Sequence, residues 1–227
     1  MDRPVTTLDA ARALVASPRW PAVRTFLWDF LPLVHPSRLA PLAPRCPGFD
    51  LATPATLPPR VKTALLAELR VEPAWHDFPA TDHSRLLLLP PATLDSIARW
   101  LGALSCADAL RRVTSGPAVR ALKTALPGIY PDLFAFAPYF ARHPLAPAAE
   151  TADAADPDPA AIPARGRALL LAHLSALPAP LLHRFRLLFP PDAEPAPDPA
   201  LPGPPPPEAV LLLLKLKFPE AHALCSS

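Results

Sequence analysis

Apolar residues recur at every third or fourth position between the prolines of this chain, which is the spacing of one helix face. The clearest helix is predicted over residues 91–104, where the apolar stripe consists of Leu94, Ile97, Ala98, Leu101 and Leu104. Asp95 precedes Arg99 by four residues, and this pair is expected on the outer side of the helix. The same spacing predicts helices over residues 21–31, 58–71, 107–113, 131–140, 165–177 and 180–189, and one that restarts after Ser115.

Proline separates these segments, because it fits the first turn of a helix and breaks the interior. The last apolar segment, residues 207–218, alternates like a strand at its end, but Pro207 followed by Glu208 favours a helix start. We therefore predict an all-α protein in which short, proline-delimited helices pack irregularly.

Two stretches depart from this pattern. Residues 145–163 and residues 190–208 hold four acidic residues each and no basic residue, and proline fills more than half of the second. Such composition favours exposed segments that are extended or disordered. The predicted organisation is an N-terminal helical body over 1–144, a linker over 145–163, and a smaller C-terminal helical part over 164–227. That last part contains a Pro-rich loop at 190–208 and is expected to dock on the body.

The amino-acid composition excludes one class of protein and shows how charge is distributed along the chain. The 227 residues include 37 prolines but only 6 glycines, which excludes a collagen-like chain. Asn and Gln are absent. The formal net charge is only +2, yet the two acidic stretches hold eight of the 20 acidic residues. The rest of the chain therefore carries 22 basic against 12 acidic residues, so the helical parts taken together are distinctly basic.

The cellular location follows from cysteine usage and hydropathy. The three cysteines are widely spaced and form no CxxC pair, which is typical of a reducing compartment. No apolar run approaches the roughly 18 residues of a membrane span. The N-terminus lacks a basic segment followed by an apolar stretch, so no signal peptide is expected. We predict a cytoplasmic protein without direct membrane insertion.

Histidine suggests one alternative function. His76 and Asp77 form a His-Asp dipeptide with His83 close behind, as in helical metal-dependent phosphohydrolases. Such a site would need further ligands from other helices, and capping of a turn also accounts for these residues. The chain has no HExxH, GxSxG, GxxxxGK or GxGxxG motif. We therefore expect no enzyme, no catalytic or metal-binding residue and no cofactor, with the hydrolase kept as the alternative.

Basic residues concentrate between residues 91 and 142. They are Arg99, Arg111, Arg112, Arg120, Lys123 and Arg142. Solvated outer helix faces would account for them, and so would a surface for an acidic protein partner. Nucleic-acid binding remains a further alternative, although no stacking aromatic residues interleave with these charges.

The central block also resembles a known family. Leu101-Gly102, Ala-Leu-Arg-Arg at 109–112, the restart at Gly116 followed by Val-Arg-Ala-Leu at 119–122, and the aromatic residues near Tyr130 and Phe134 are similar to the core of the SctK family. Members of this family are sorting-platform adaptors of bacterial type III secretion systems, which transport virulence proteins. Residues 20–35, 182–189 and 211–218 are similar in outline, so the resemblance extends over nearly the whole chain.

The resemblance implies a function without chemistry. It implies an α-helical cytoplasmic scaffold, peripheral to the inner-membrane secretion apparatus, that needs no cofactor. Its partners would be the cytoplasmic domain of the inner-membrane ring protein and the C-ring-like pod component, with no role for nucleic acid. Because arginine makes bidentate contacts with carboxylates, we predict Arg111, Arg112 and Arg120 as the partner-binding residues.

Overall fold

A computed structural model describes residues 15–72, 82–140, 145, 158–191 and 204–226. Helices dominate these residues, and no strand occurs among them. The predicted all-α class is therefore confirmed.

The α-helices are short and follow one another closely. In chain order they are α1 (Trp20–Trp28), α2 (Pro36–Leu39), α3 (Pro59–Glu68), α4 (Asp82–Arg85), α5 (Pro91–Ser105), α6 (Ala107–Arg112), α7 (Gly116–Ala125), α8 (Tyr130–Phe136), α9 (Ala161–His173), α10 (Ala179–Leu187), α11 (Pro207–Lys217) and α12 (Pro219–Ser226). Single 3-10 turns or short 3-10 helices lie at Leu31–Leu33, Ala40–Arg45, Pro54–Thr56, Leu86–Leu88 and Ala137–Phe140.

Every helix predicted from apolar spacing is present, with ends that shift by about one turn or less. The segment after Pro207 is helical, as favoured, and the helix over 131–140 ends early, before Pro138. Three short helices that the spacing did not predict, α2, α4 and α12, complete the set.

Proline pairs set several of the helix starts. Pro58, Pro90 and Pro206 each have an extended backbone, with ψ of 147°, 143° and 137°. Each is followed by a proline in the first helical position. The first proline is held extended by the second, and the second has no N–H to leave unsatisfied at the helix start. None of these three starts has a side-chain cap, so proline stereochemistry defines them instead.

The core is continuous from the N-terminal body to the C-terminal part. Phe26 and Phe30 from the first helix and its C-terminal turn, Leu101 from α5, and Phe185 from α10 are all almost completely buried in one apolar cluster. Burial of side chains this large is the main favourable contribution to folding, at about 1.5–3 kcal/mol each.

Helices α5 and α9 cross at very close range. A Cβ atom added to Gly166 of α9 would overlap with the backbone carbonyl of Ala98 on α5. A Cβ added to Gly102 of α5 would likewise overlap with the carbonyl of Ile162 on α9. The two glycines therefore let the helix backbones touch directly, closer than side chains normally allow.

Arginine and histidine side chains from distant segments satisfy carbonyls at helix ends. Arg184 on α10 donates to the carbonyl of Phe26 in the last turn of α1, at 2.9 Å. His183 Nε2 donates to the carbonyl of Leu69, directly after α3, at 2.8 Å. The last four carbonyls of a helix have no partner within the helix and carry partial negative charge. In a chain without Asn or Gln, basic side chains fill this role.

Two further contacts of this kind involve the C-terminal part. Arg38 donates to the carbonyl of Phe189 at 2.7 Å, and Arg85 donates to the carbonyl of Cys225 at 2.6 Å. Each joins residues more than a hundred positions apart. The C-terminal helices are thus bonded to the N-terminal body by polar contacts as well as by the core.

The ends of the two acidic stretches differ from the expectation of exposed chain. Helix α9 begins at Ala161, within residues 145–163, and Ile162 is buried. Pro205 is also buried, and Pro207 and Glu208 form the first turn of α11. Ile162 and Pro205 pack because each lies at or just before the start of a helix whose apolar face meets the core. No described helix combines the length and apolarity that a membrane crossing requires.

Candidate protein-binding face

The predicted partner-binding arginines lie on α6 and α7, which both pack against α8. Leu110 faces the core from α6, and Leu122 does so from α7. Arg112 follows Leu110 by two positions and Arg120 precedes Leu122 by two, so each points about 200° around the helix from the buried residue. Both arginines are exposed. We define the basic face as Arg111, Arg112, Arg120 and Lys123.

Arg111 is held by its neighbours. Its guanidinium lies 3.3 Å from a carboxylate oxygen of Asp108, one turn earlier on α6. The same guanidinium lies 6.0 Å from the ring centroid of Phe134 on α8, at the outer limit of a cation–π contact. Because Asp108 is 85% exposed, this ion pair is solvated and contributes little to stability.

The other three cations of the basic face have free head groups. The side chains of Arg112, Arg120 and Lys123 make no hydrogen bond or ion pair with any residue that the structure describes. Nor does the first turn of α7 contain an acidic residue or a side-chain cap, although Ser115 occupies the predicted cap position. Positive charge on this surface is therefore not neutralised by nearby described side chains.

Arg99, which belongs to the same basic block of the sequence, is used inside the fold. Its Nε donates to Asp95 at 2.8 Å, as the four-residue spacing predicted. Asp95 also accepts from Arg167 on α9 at 3.3 Å, across the helix crossing. The pair lies on the outer side of α5 as expected, with both side chains partly exposed, and α9 covers it in part. Arg142 lies outside the described residues.

Among the residues that the structure describes, Arg184 is the most deeply buried cation. It is only 3% exposed, its two terminal nitrogens donate to the carbonyls of Phe26 and Glu72, and it lies over the ring of Phe30. Burial lowers the pKa of the Arg184 guanidinium from its usual range, and the nearby charge of Glu72 partly opposes this shift. Nothing in the spacing of α10 distinguishes Arg184 from Arg186, which is exposed.

Lys217 lies in an aromatic cage at the end of α11. Its Nζ lies 3.9 Å from the ring centroid of Phe136 and 4.7 Å from that of Trp100, and it pairs with Asp132 at 2.6 Å. Two aromatic rings and a carboxylate around an ammonium form a strong cation site. In this chain Lys217 itself occupies the site, and its contacts hold α11 against α5 and α8.

Replacing Lys217 with methionine is expected to lower the free energy of unfolding by about 1–2 kcal/mol, because the aliphatic part remains but the ammonium contacts are lost. Urea denaturation followed by tryptophan fluorescence would measure this. Lys215→Met is the matched control: Lys215 is exposed in the same turn, and its substitution should change stability by less than about 0.5 kcal/mol. If both variants lost the same free energy of unfolding, the aromatic cage would not contribute specifically to stability.

The alternative metal site cannot be assembled from the described residues. His76 and Asp77 lie outside them, and for His83 only the backbone, in α4, is described. Within the described residues no group of three potential ligands approaches metal-binding geometry. Among the described histidines, His35 bonds to the hydroxyl of Ser37, His173 to the carbonyl of Pro205 and His183 to the carbonyl of Leu69.

The amino-acid sequence thus indicates the basic residues of α6 and α7, but it does not show which basic side chains are free and which make contacts within the fold. The separation depends on contacts between helices that are distant in sequence, such as α9 across α5. Comparison of the chain with protein-family models, with curated proteins and with solved structures found no match.

Proposed function

We propose that this chain is a non-enzymatic adaptor of a type III secretion sorting platform. In this role it would lie at the cytoplasmic side of the inner membrane and link the cytoplasmic domain of the ring protein to the C-ring-like pod component. The observation that carries the proposal is the basic face, in which Arg112, Arg120 and Lys123 are exposed without a described partner. The same face lies within residues 90–140, the block that resembles the SctK family.

The rest of the fold suits a binding scaffold. Helix α5, which ends where α6 begins, is fixed by its direct backbone contact with α9 and by the ion pairs at Asp95. Helix α8, on which α6 and α7 rest, is fixed by the Lys217 cage. A face held in place before binding loses less conformational entropy when a partner docks. Exposed arginines are also frequent among the residues that dominate interface energies.

Reversing the charge of Arg112 and Arg120 together tests the proposal. In a pull-down with the ring protein's cytoplasmic domain and the C-ring-like protein of the same genome, we expect Arg112→Glu/Arg120→Glu to recover about tenfold less of at least one partner. Truncating or reversing a charge that pairs across an interface commonly has an effect of this size.

The matched control is Arg24→Glu/Arg60→Glu, which reverses two exposed arginines on α1 and α3 that also lack a described side-chain partner. It makes the same change in net charge, and recovery should stay within about twofold of the parent. Circular dichroism would establish that both variants are folded. Undiminished recovery by the folded Arg112→Glu/Arg120→Glu variant, or failure of the parent protein to recover either partner, would overturn the proposal.

A further inference from the structure

We infer that the basic face binds an acidic segment of a partner protein, with carboxylates pairing to Arg112, Arg120 and Lys123. This deepens the proposed function, on which it rests only for the presence of a protein partner.

The charge of the basic face favours an acidic occupant. The basic face presents four cations, and the described acidic side chain that pairs with one of them is Asp108. About three positive charges therefore remain unneutralised over the outer surface of two short helices. Arginine binds carboxylates through two parallel N–H donors, so Arg112 and Arg120 can each hold one carboxylate in a defined orientation.

The outer surface of α7 favours close approach of a docked polypeptide segment. Next to Arg120 and Lys123, its outer positions are occupied by small side chains, Gly116, Ala121 and Thr124, all exposed. Small residues between the cations allow the backbone of a docked segment to approach the helix closely. On the adjoining α8, the half-buried Phe134 beneath Arg111 supplies an apolar contact. An acidic segment that also carries an apolar residue would match both features.

The same features disfavour two other classes of anion. Binding of a nucleic-acid duplex at physiological salt depends on many simultaneous phosphate contacts, and three uncompensated cations give few of them. An anionic membrane surface would favour large apolar residues among the cations, and the exposed positions of α7 contain none.

Binding of short poly-L-glutamate, measured by fluorescence anisotropy at physiological ionic strength, tests the inference. We expect the parent protein to bind poly-L-glutamate more tightly than a DNA duplex or phosphatidylglycerol vesicles. Arg112→Glu/Arg120→Glu should weaken the binding of poly-L-glutamate at least tenfold, while Arg24→Glu/Arg60→Glu weakens it less than twofold. Tighter binding of the duplex or the vesicles, or equal weakening in both variants, would overturn the inference.

Carbodiimide coupling gives a second readout, because it joins a carboxylate to the amine of an adjacent lysine as an amide. The chain has four lysines. Lys62 pairs with Asp29 and Lys217 lies in its cage, whereas Lys123 and Lys215 are exposed. Poly-L-glutamate should couple at Lys123 in preference to Lys215. Lys123→Arg should lose that product and keep its affinity, and preferential coupling at Lys215 would contradict the inference.

Poly-L-glutamate contains no component of a secretion system. The binding experiment can therefore fail while the ring or pod protein is still recovered, which would overturn the acidic occupant and leave the adaptor function standing. Conversely, binding of poly-L-glutamate through Arg112 and Arg120 without recovery of either partner would overturn the adaptor function alone.

Discussion

Replacing Gly166 with alanine is expected to lower the free energy of unfolding by about 3 kcal/mol, because the crossing of α5 and α9 has no room for a methyl group. The added Cβ would overlap with the carbonyl oxygen of Ala98 and stand 2.8 Å from the backbone nitrogen of Gly102. Both neighbours are backbone atoms of a helix, so neither can move away alone. The helices would have to separate along their shared apolar surface.

The sign of this effect is informative, since helix propensity predicts the opposite. Alanine is favoured over glycine in a helix interior by about 1 kcal/mol. Gly116→Ala is the control for the added methyl group: there the Cβ meets only the end of the Arg120 side chain, at 3.6 Å, and although alanine is less suited than glycine to a helical position before Pro117, stability should change by less than about 1 kcal/mol. Thermal denaturation followed by circular dichroism should show a melting temperature roughly 6–12 °C lower for Gly166→Ala.

Gly102→Ala provides an independent test of the same contact. Its added Cβ would overlap with the carbonyl of Ile162 and stand 3.0 Å from the backbone nitrogen of Gly166. A destabilisation similar to that of Gly166→Ala is expected. If either variant were as stable as the parent protein, α5 and α9 could not cross at these glycines.

The positions of the helices could be predicted because proline determines them locally. In a Pro-Pro pair such as Pro90-Pro91, the second proline holds the first extended, and its own fixed φ suits the first position of a helix. The apolar stripe of α5 likewise follows from its period, and all five of its residues are buried. Local stereochemistry and periodicity were sufficient for the all-α class.

The way the helices pack could not be predicted, because it depends on pairs of residues far apart in sequence. Gly166 resembles any glycine in a weakly amphipathic segment until α9 is placed across α5. Asp95 looked like one half of an ordinary surface pair with Arg99, and only the crossing shows that Arg167 joins it. The period of a helix tells which residues face inward, not which helix they meet.

The same limit applies to the candidate site. The sequence allowed the basic residues of the central block to lie on solvated outer helix faces, and Arg112 and Arg120 are both exposed. It could not show that Arg111 pairs with Asp108 beside Phe134, or that cations outside this block act within the fold. That internal use is donation to backbone carbonyls: in a chain without Asn or Gln, arginine and histidine side chains act as donors alongside serine and threonine hydroxyls.

Arg184 shows this internal use at its strongest. Its guanidinium bridges the carbonyl of Phe26, in the last turn of α1, and the carbonyl of Glu72, after α3, at 2.9 Å and 2.7 Å. The lowered pKa of Arg184 shows that burial disfavours its charge. That cost is offset by two charge-assisted hydrogen bonds and by the ring of Phe30, whose centroid lies 5.1 Å away.

Replacing Arg184 with methionine is therefore expected to lower the free energy of unfolding by about 4 kcal/mol, because two carbonyls lose their donor and the space left by the guanidinium stays poorly filled. Arg184→Lys keeps the charge but cannot bridge both carbonyls, so an intermediate loss of about 2 kcal/mol is expected. Arg186→Met, two positions along α10 and exposed, is the control and should change stability by less than about 0.5 kcal/mol. Urea denaturation would rank the three variants. If Arg184→Met unfolded at the same urea concentration as Arg186→Met, the bridge would contribute nothing to holding α10 against α1 and α3.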